Sequence, residues 1–207
     1  MTMSGRVDIR SALEFGWRIF RDKLLFFIVF MLIIGIPVAM MNVMLRGLPW
    51  LSISVMFLRG VAWLWKVLAM MAVILVCLSF RDRGSFDFRK TEEFHPLFIP
   101  YLIGSLLFSA ILVVGMLLLI APGVWFAVKY QFMPYLIIDK GMEPIEALNT
   151  AGEITKGYWL DLGLFLLCIA GINFLGILTF GLGLVVTVPV TFLAHAWVYR
   201  SFVPAEA

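Results

Sequence analysis

Five stretches of this chain run for about twenty residues with almost no charge: Leu24 to Met44, Val61 to Phe80, Leu97 to Ile120, Trp159 to Leu178 and Gly181 to Tyr199. Each has the length a helix needs to cross about 30 Å of hydrocarbon, since a helix rises 1.5 Å per residue and pairs its backbone polar groups internally. With 63% hydrophobic residues and a mean hydropathy of +1.04, the 207-residue chain is more apolar than a water-soluble domain, in which roughly half the residues are apolar. Lipid is the expected solvent, and the predicted fold class is all-α, a polytopic membrane helix bundle. The first run exceeds the roughly 7 to 15 apolar residues of a signal-peptide core and no small-x-small site follows it, so it is expected to stay as a span.

A sixth run, Val124 to Ile138, is shorter and carries Lys129 and Pro134. Basic residues decide how it is read. With six spans and both termini in the cytoplasm, twelve Lys and Arg fall inside: Arg6, Arg10, Arg18, Arg21, Lys23, Arg81, Arg83, Arg89, Lys90, Lys140, Lys156 and Arg200. Only Arg46 and Arg59 fall outside, which is the positive-inside bias of short loops. If Val124 to Ile138 did not cross, the split would fall to nine against five, so six transmembrane helices are expected. Tryptophans favour headgroup boundaries, and they are placed to match: Trp50, Trp63, Trp65 and Trp125 at outer ends, Trp17, Trp159 and Trp197 at inner ones.

Two further segments read as interfacial amphipathic helices. From Asp8 to Lys23, Ile9, Leu13, Phe15, Trp17, Ile19 and Phe20 interleave with Arg10, Glu14, Arg18 and Arg21. From Glu143 to Lys156, Ile145, Leu148 and Ile154 recur among charges, with Pro144 suited to a first turn and Gly157 to a C-terminal cap. A shift of 135 residues superposes Ala12-Leu13 on Ala147-Leu148, Ile19 on Ile154 and Arg21 on Lys156, the pattern of a parallel internal repeat.

From Pro122-Gly123 through Lys129-Tyr130, Pro134-Tyr135, Asp139, Glu146-Ala147-Leu148 and Thr155-Lys156-Gly157, the chain resembles the membrane-domain family named after glycerophosphoryl diester phosphodiesterases, with its YciC-like relatives. The match covers roughly residues 121–164. The resemblance implies a bacterial inner-membrane protein of largely uncharacterised role, without the catalytic domain to which this membrane domain is sometimes fused. The chain departs from the family pattern at Ala151, where a serine is usual, and at Gly152, where a large residue is common.

No nucleophile elbow, P-loop or metal-ligand spacing stands in a suitable setting, and no two carboxylates are predicted to share a pocket. Cys77 and Cys168 lie inside apolar runs and read as packing residues, while His95 has no ligand partner at suitable spacing. No catalytic, cofactor or metal site is expected, and the basic residues cluster beside apolar runs, where anionic headgroups rather than nucleic acid meet them.

The candidate functional or packing positions are Lys129, Tyr130, Asp139, Glu146, Lys156, Gly157 and His195. A lysine near the middle of a span costs about 2.5 to 3.5 kcal/mol on insertion scales and is often functional. The preferred reading of Lys129 is structural, with its stem along apolar surface and its ammonium reaching outer headgroups. Lys66 reads the same way. His195 offers a proton relay or headgroup contact, but the plainer reading, a hydrogen bond to a neighbouring helix, is preferred. The favoured function is a non-catalytic membrane protein binding lipids or a membrane-protein partner, with Asp139 to Gly157 as its cytoplasmic contact surface. The rival is a small transporter or lipid-handling protein with a midplane site near Lys129, Tyr130 and Asn173.

Overall fold

A computed structural model describes residues 7–46, 48–49, 52–86, 94–118, 120–179 and 181–205. Trp50, Arg6, Arg89, Lys90 and the side chain of His95, all invoked above, lie outside the described residues. The described chain is helical throughout, as α1 (Ile9–Asp22), α2 (Leu24–Met44), α3 (Ile53–Arg83), α4 (Phe94–Leu118), α5 (Ile120–Tyr130), α6 (Met133–Lys140), α7 (Pro144–Ile154), α8 (Trp159–Leu178) and α9 (Leu184–Phe202). Four helices are long and apolar enough to cross a membrane: α2, α3, α4 over Pro96–Leu117, and α8.

The α3 helix begins at Ile53, eight residues before the predicted start, because it runs on through Gly60 instead of breaking there. Its apolar window is half buried inside the bundle, whereas that of α2 is only 6% buried. The α3 helix is therefore a core element, and α2 leaves most of its apolar surface to the surrounding solvent.

Val124 to Ile138 is divided between two helices. The α5 helix ends after eleven residues, Gln131 and Phe132 form a break, and α6 begins with Pro134 in its first turn, where a missing N–H costs nothing. The two together run antiparallel to α4. Gly115 meets Gly123 near one end, and Gly104 meets Ile137 along α6. Far from peripheral, α6 is the centre of the molecule. Met133, Tyr135, Leu136, Ile137 and Ile138 are all buried, against α3, α4, α7 and neighbouring rings of α9.

The α1 helix starts as predicted, with the Asp8 carboxylate accepting from the Ser11 amide at 3.0 Å as an N-cap. That amide and the Ser11 hydroxyl hold the Asp8 carboxyl below its ordinary value, the hydroxyl having the larger effect. Its buried stripe is Ala12, Gly16 and Phe20, packed chiefly on α9, while Trp17 and the charged residues point outward. Phe20 continues into a series of tilted ring contacts through Phe27 of α2 to Phe80 of α3. The helix thus has a protein neighbour along its apolar side.

The α7 helix likewise buries Pro144, Ala147 and Ala151, and leaves Ile145 69% exposed. At the offset of 135 residues, the start of α1 falls on the start of α7, and that of α2 on that of α8. Ala12 and Gly16 then correspond to Ala147 and Ala151, all four buried.

Candidate functional site

The predicted site residues separate into three places. Asp139 and its neighbours form a clamp. Arg200 of α9 donates from Nε to Asp82 of α3 at 2.8 Å and from Nη1 to Asp139 of α6 at 2.6 Å, with Nη2 shared between the two carboxylates. The Tyr199 hydroxyl donates to Asp139 at 2.8 Å. The side chains of Arg200, Asp82 and Asp139 are 6%, 24% and 12% exposed, so the pairs are largely withdrawn from water and each side chain has its polar atoms used. Asp139 is therefore not part of a contact surface, as the sequence suggested. It is consumed in joining α3, α6 and α9, whose contributing residues lie 118 and 61 positions from Arg200 or nearer, a proximity no local pattern reveals.

His195 sits in a second place, half-buried and packed among the rings of Phe132, Tyr135 and Phe165, with Nε2 at 3.1 Å from the Gln131 side-chain oxygen. Gln131 in turn donates from Nε2 to the Val128 carbonyl at 3.0 Å. These bonds tie α9 to the break between α5 and α6, where backbone groups lose their helical partners.

The third place is an open pocket of about 570 Å³ where α5, α7 and the start of α8 meet. Lys129, Tyr130, Glu153, Lys156, Trp125 and Trp159 line it. The Lys129 ammonium lies 4.7 Å from the Trp125 ring centroid and 5.1 Å from that of Tyr130. Ring faces hold a cation in position without neutralising it. Among the described residues no carboxylate oxygen comes within 4.0 Å of that ammonium, and Lys156 is exposed at the pocket's rim. The wall thus carries two ammonium groups and one carboxylate.

Local chemistry builds this wall. The α7 helix ends at Ile154, before the predicted Lys156, because Thr155 takes the C-cap. Its hydroxyl is shared between the Ala151 carbonyl at 2.8 Å, within its own helix, and the Lys129 carbonyl at 2.9 Å, on α5. Gly157 lies beyond the cap with a φ of 88°, a left-handed conformation that turns the chain into α8 and that glycine adopts without strain. Gly152 faces the lysine: a Cβ there would stand 3.2 Å from Lys129 Cε and 3.3 Å from the Tyr130 ring. A large side chain at this position would crowd Lys129 and Tyr130 and intrude on the cavity, which glycine leaves open.

The Lys129 pocket adjoins the turn into α8, where Tyr158 packs edge-on to Phe202 at the end of α9, at 5.3 Å. Trp125, expected at an outer end, shares this pocket with Trp159, expected at an inner one. The reason is the short α5: with the break at Gln131, Trp125 is less than two turns from the residues that meet α7. Asn173 is elsewhere, donating to Thr191 Oγ1 at 3.2 Å between α8 and α9, so it does not join Lys129 and Tyr130 in one site. Glu146 is exposed in the first turn of α7, where a carboxylate complements the helix dipole, and lies apart from the pocket. The aromatic shelf and the opening at Gly152 escaped sequence reasoning; the only available signal was glycine where the family resemblance implies a large side chain.

No family model matches the sequence, and neither a curated protein nor a solved structure matches it.

Proposed function

We propose that this protein is a non-catalytic, six-crossing membrane protein of a bacterial inner membrane, with both termini in the cytoplasm, which binds the anionic headgroup of a lipid in the pocket of α5, α7 and α8. The observation that carries this reading is the Lys129 ammonium, held over Trp125 and Tyr130 beside exposed Lys156 in a cavity large enough for a headgroup. The aromatic walls suit the glycerol and upper acyl region, and the two cations suit phosphate. Several residues behind the resemblance to the YciC-like membrane domain, Lys129-Tyr130 and Thr155-Lys156-Gly157, line this one pocket, which supports placing the chain with that family.

Two crossings beyond the four long helices are needed, one from α5 with α6 and one from α9. The broken crossing is supported by its burial in protein, since irregular backbone is tolerated at membrane depth only where lipid does not reach it. Reporter fusions after Lys140 and after Gly157 should read cytoplasmic, and a fusion within 118–121 should read external. Identical readings at 118–121 and at Lys140 would remove this crossing.

Substituting Lys129→Gln and Lys156→Gln together should weaken binding of phosphatidylglycerol to the detergent-solubilised protein about 30-fold, on a scale of roughly 1 kcal/mol per surface cation. Gly152→Leu should do the same by occupation of the cavity, with every charge retained. Unchanged binding in both variants would overturn the assignment of this pocket.

A further inference from the structure

The carboxylate in the wall of the Lys129 pocket restricts which anion fits there. Resting on the lipid-headgroup reading of this pocket, we infer that its ligand is a phosphodiester headgroup ending in serine, with the phosphate on Lys129 and the amino-acid end between Glu153 and Lys156. Such a headgroup carries two negative charges and one positive, the complement of the two ammonium groups and one carboxylate that line the cavity.

The three charges lie at different depths. Lys129 is half-buried with its ammonium over the rings of Trp125 and Tyr130, whereas Glu153 and Lys156 are exposed at the rim. Among the described residues, none of the three has an opposite charge within 4.0 Å, and Glu153 and Lys156 do not pair with each other. Three residues apart in a continuing helix, these two would be neighbours on one face. That geometry is lost because α7 ends at Ile154, Thr155 takes the cap and Gly157 turns the chain toward α8. The Thr155 hydroxyl also accepts its place from α5, donating to the Lys129 carbonyl at 2.9 Å, so the turn that parts the two charges is tied to the lysine at the bottom of the cavity. The rim therefore offers one carboxylate and one ammonium, both uncommitted. The α-ammonium and α-carboxylate of serine, borne on a single carbon, can meet one each.

Other common headgroups match less of this wall. Glycerol phosphodiester brings one negative charge, leaves one lysine unmatched and sets its phosphate near Glu153 with nothing to offset the repulsion. Ethanolamine phosphodiester satisfies Glu153 and leaves Lys156 unmatched. Because pairs exposed at a rim contribute modestly, Glu153 and Lys156 set the preference among headgroups rather than binding itself.

Detergent-solubilised full-length protein is titrated with phosphatidylserine, phosphatidylglycerol and phosphatidylethanolamine in turn, with bound lipid read by native mass spectrometry. The wild type should bind phosphatidylserine about fivefold more tightly than either of the others. Glu153 is exposed, so Glu153→Gln removes its charge without touching the core. That variant should bind phosphatidylserine about fivefold more weakly and phosphatidylglycerol about twofold more tightly, because an attraction is lost in one case and a repulsion in the other. A misfolded variant would lower both. Equal wild-type affinities for phosphatidylserine and phosphatidylglycerol, or a Glu153→Gln change of the same sign for both, would overturn the serine assignment and leave the lipid pocket standing. Ethanolamine lipid binding as tightly as serine lipid would overturn the role given to the serine carboxylate. No binding of any of the three would instead overturn the lipid reading itself, and competition by glycerophosphoserine at equal concentration would keep the serine phosphodiester and overturn a lipid as its source.

Discussion

Arg200→Ala is expected to destabilise the bundle by about 3 to 5 kcal/mol, seen as a fall on the order of 10 °C in the thermal midpoint of helix loss in detergent. The side chain is 6% exposed and bonds two carboxylates that are themselves largely shielded, so its removal leaves Asp82 and Asp139 facing each other without a counter-charge. The cost lies in those orphaned charges more than in the contact itself. Adding Asp82→Asn and Asp139→Asn to Arg200→Ala should therefore recover part of the loss, because the charges are then gone. A wild-type midpoint for Arg200→Ala, or a further fall in the triple variant, would show that the clamp does not hold α3, α6 and α9 together.

The second large effect concerns α1. Gly16→Val should detach this helix from α9, at a cost of about 1 to 3 kcal/mol or more, because even the first added carbon would collide with the Val190 carbonyl oxygen and crowd the Ala194 amide at 3.3 Å. Both are backbone atoms of a helix and have nowhere to move. Once α1 lifts, Ala12 and Phe20 lose their burial, and trypsin should cut after Arg18 and Arg21 many times faster than in the wild type. Gly171→Ala supplies the contrast. Nothing lies within 4 Å of the new carbon there, and alanine is the better helix former by about 1 kcal/mol, so stability should hold or rise. Equal tryptic rates for Gly16→Val and the wild type would mean that α1 is not seated on α9.

Much of the helical framework is legible in the sequence because the information is local. The starts of α1, α2, α7 and α8 follow from run length, the Asp8 cap, Pro144 and the charge pattern. The α3 helix starts eight residues before the predicted Val61, because it continues through Arg59 and Gly60, and a glycine inside a long helix costs only about 1 kcal/mol, which other contacts outweigh. Within α4, Ser105 and Ser109 bond the carbonyls of Leu102 and Ser105 in their own helix, and the close approaches to α5 and α6 fall at Gly115 and Gly104.

The site was less legible. Lys129 stands out from sequence as a costly cation, but its direction depends on where α5 stops. That is settled by the break at Gln131 and the Thr155 hydroxyl reaching across from α7. Asp139 reads as a surface acid next to Lys140, and only the approach of Arg200, 61 residues later, makes it a buried partner. Likewise Arg46 and Lys66 read as separate boundary lysines and arginines until α2 and α3 place them around one cavity.

What the sequence by itself determined is the class: helices whose length and apolarity suit lipid, with two short amphipathic helices each leading into a longer one. Those properties depend on neighbours three or four residues away and on runs of about twenty, so they are written locally. Only the tertiary structure decided that the least convincing apolar run would become the buried centre, that small-residue stripes on α1 and α7 would dock on protein, and that scattered cations would gather into two pockets. These outcomes depend on which helix faces meet, and in a chain apolar on nearly every face, hydrophobicity does not choose among them. Close approach at glycine and alanine, together with the pairing of a few polar groups, does.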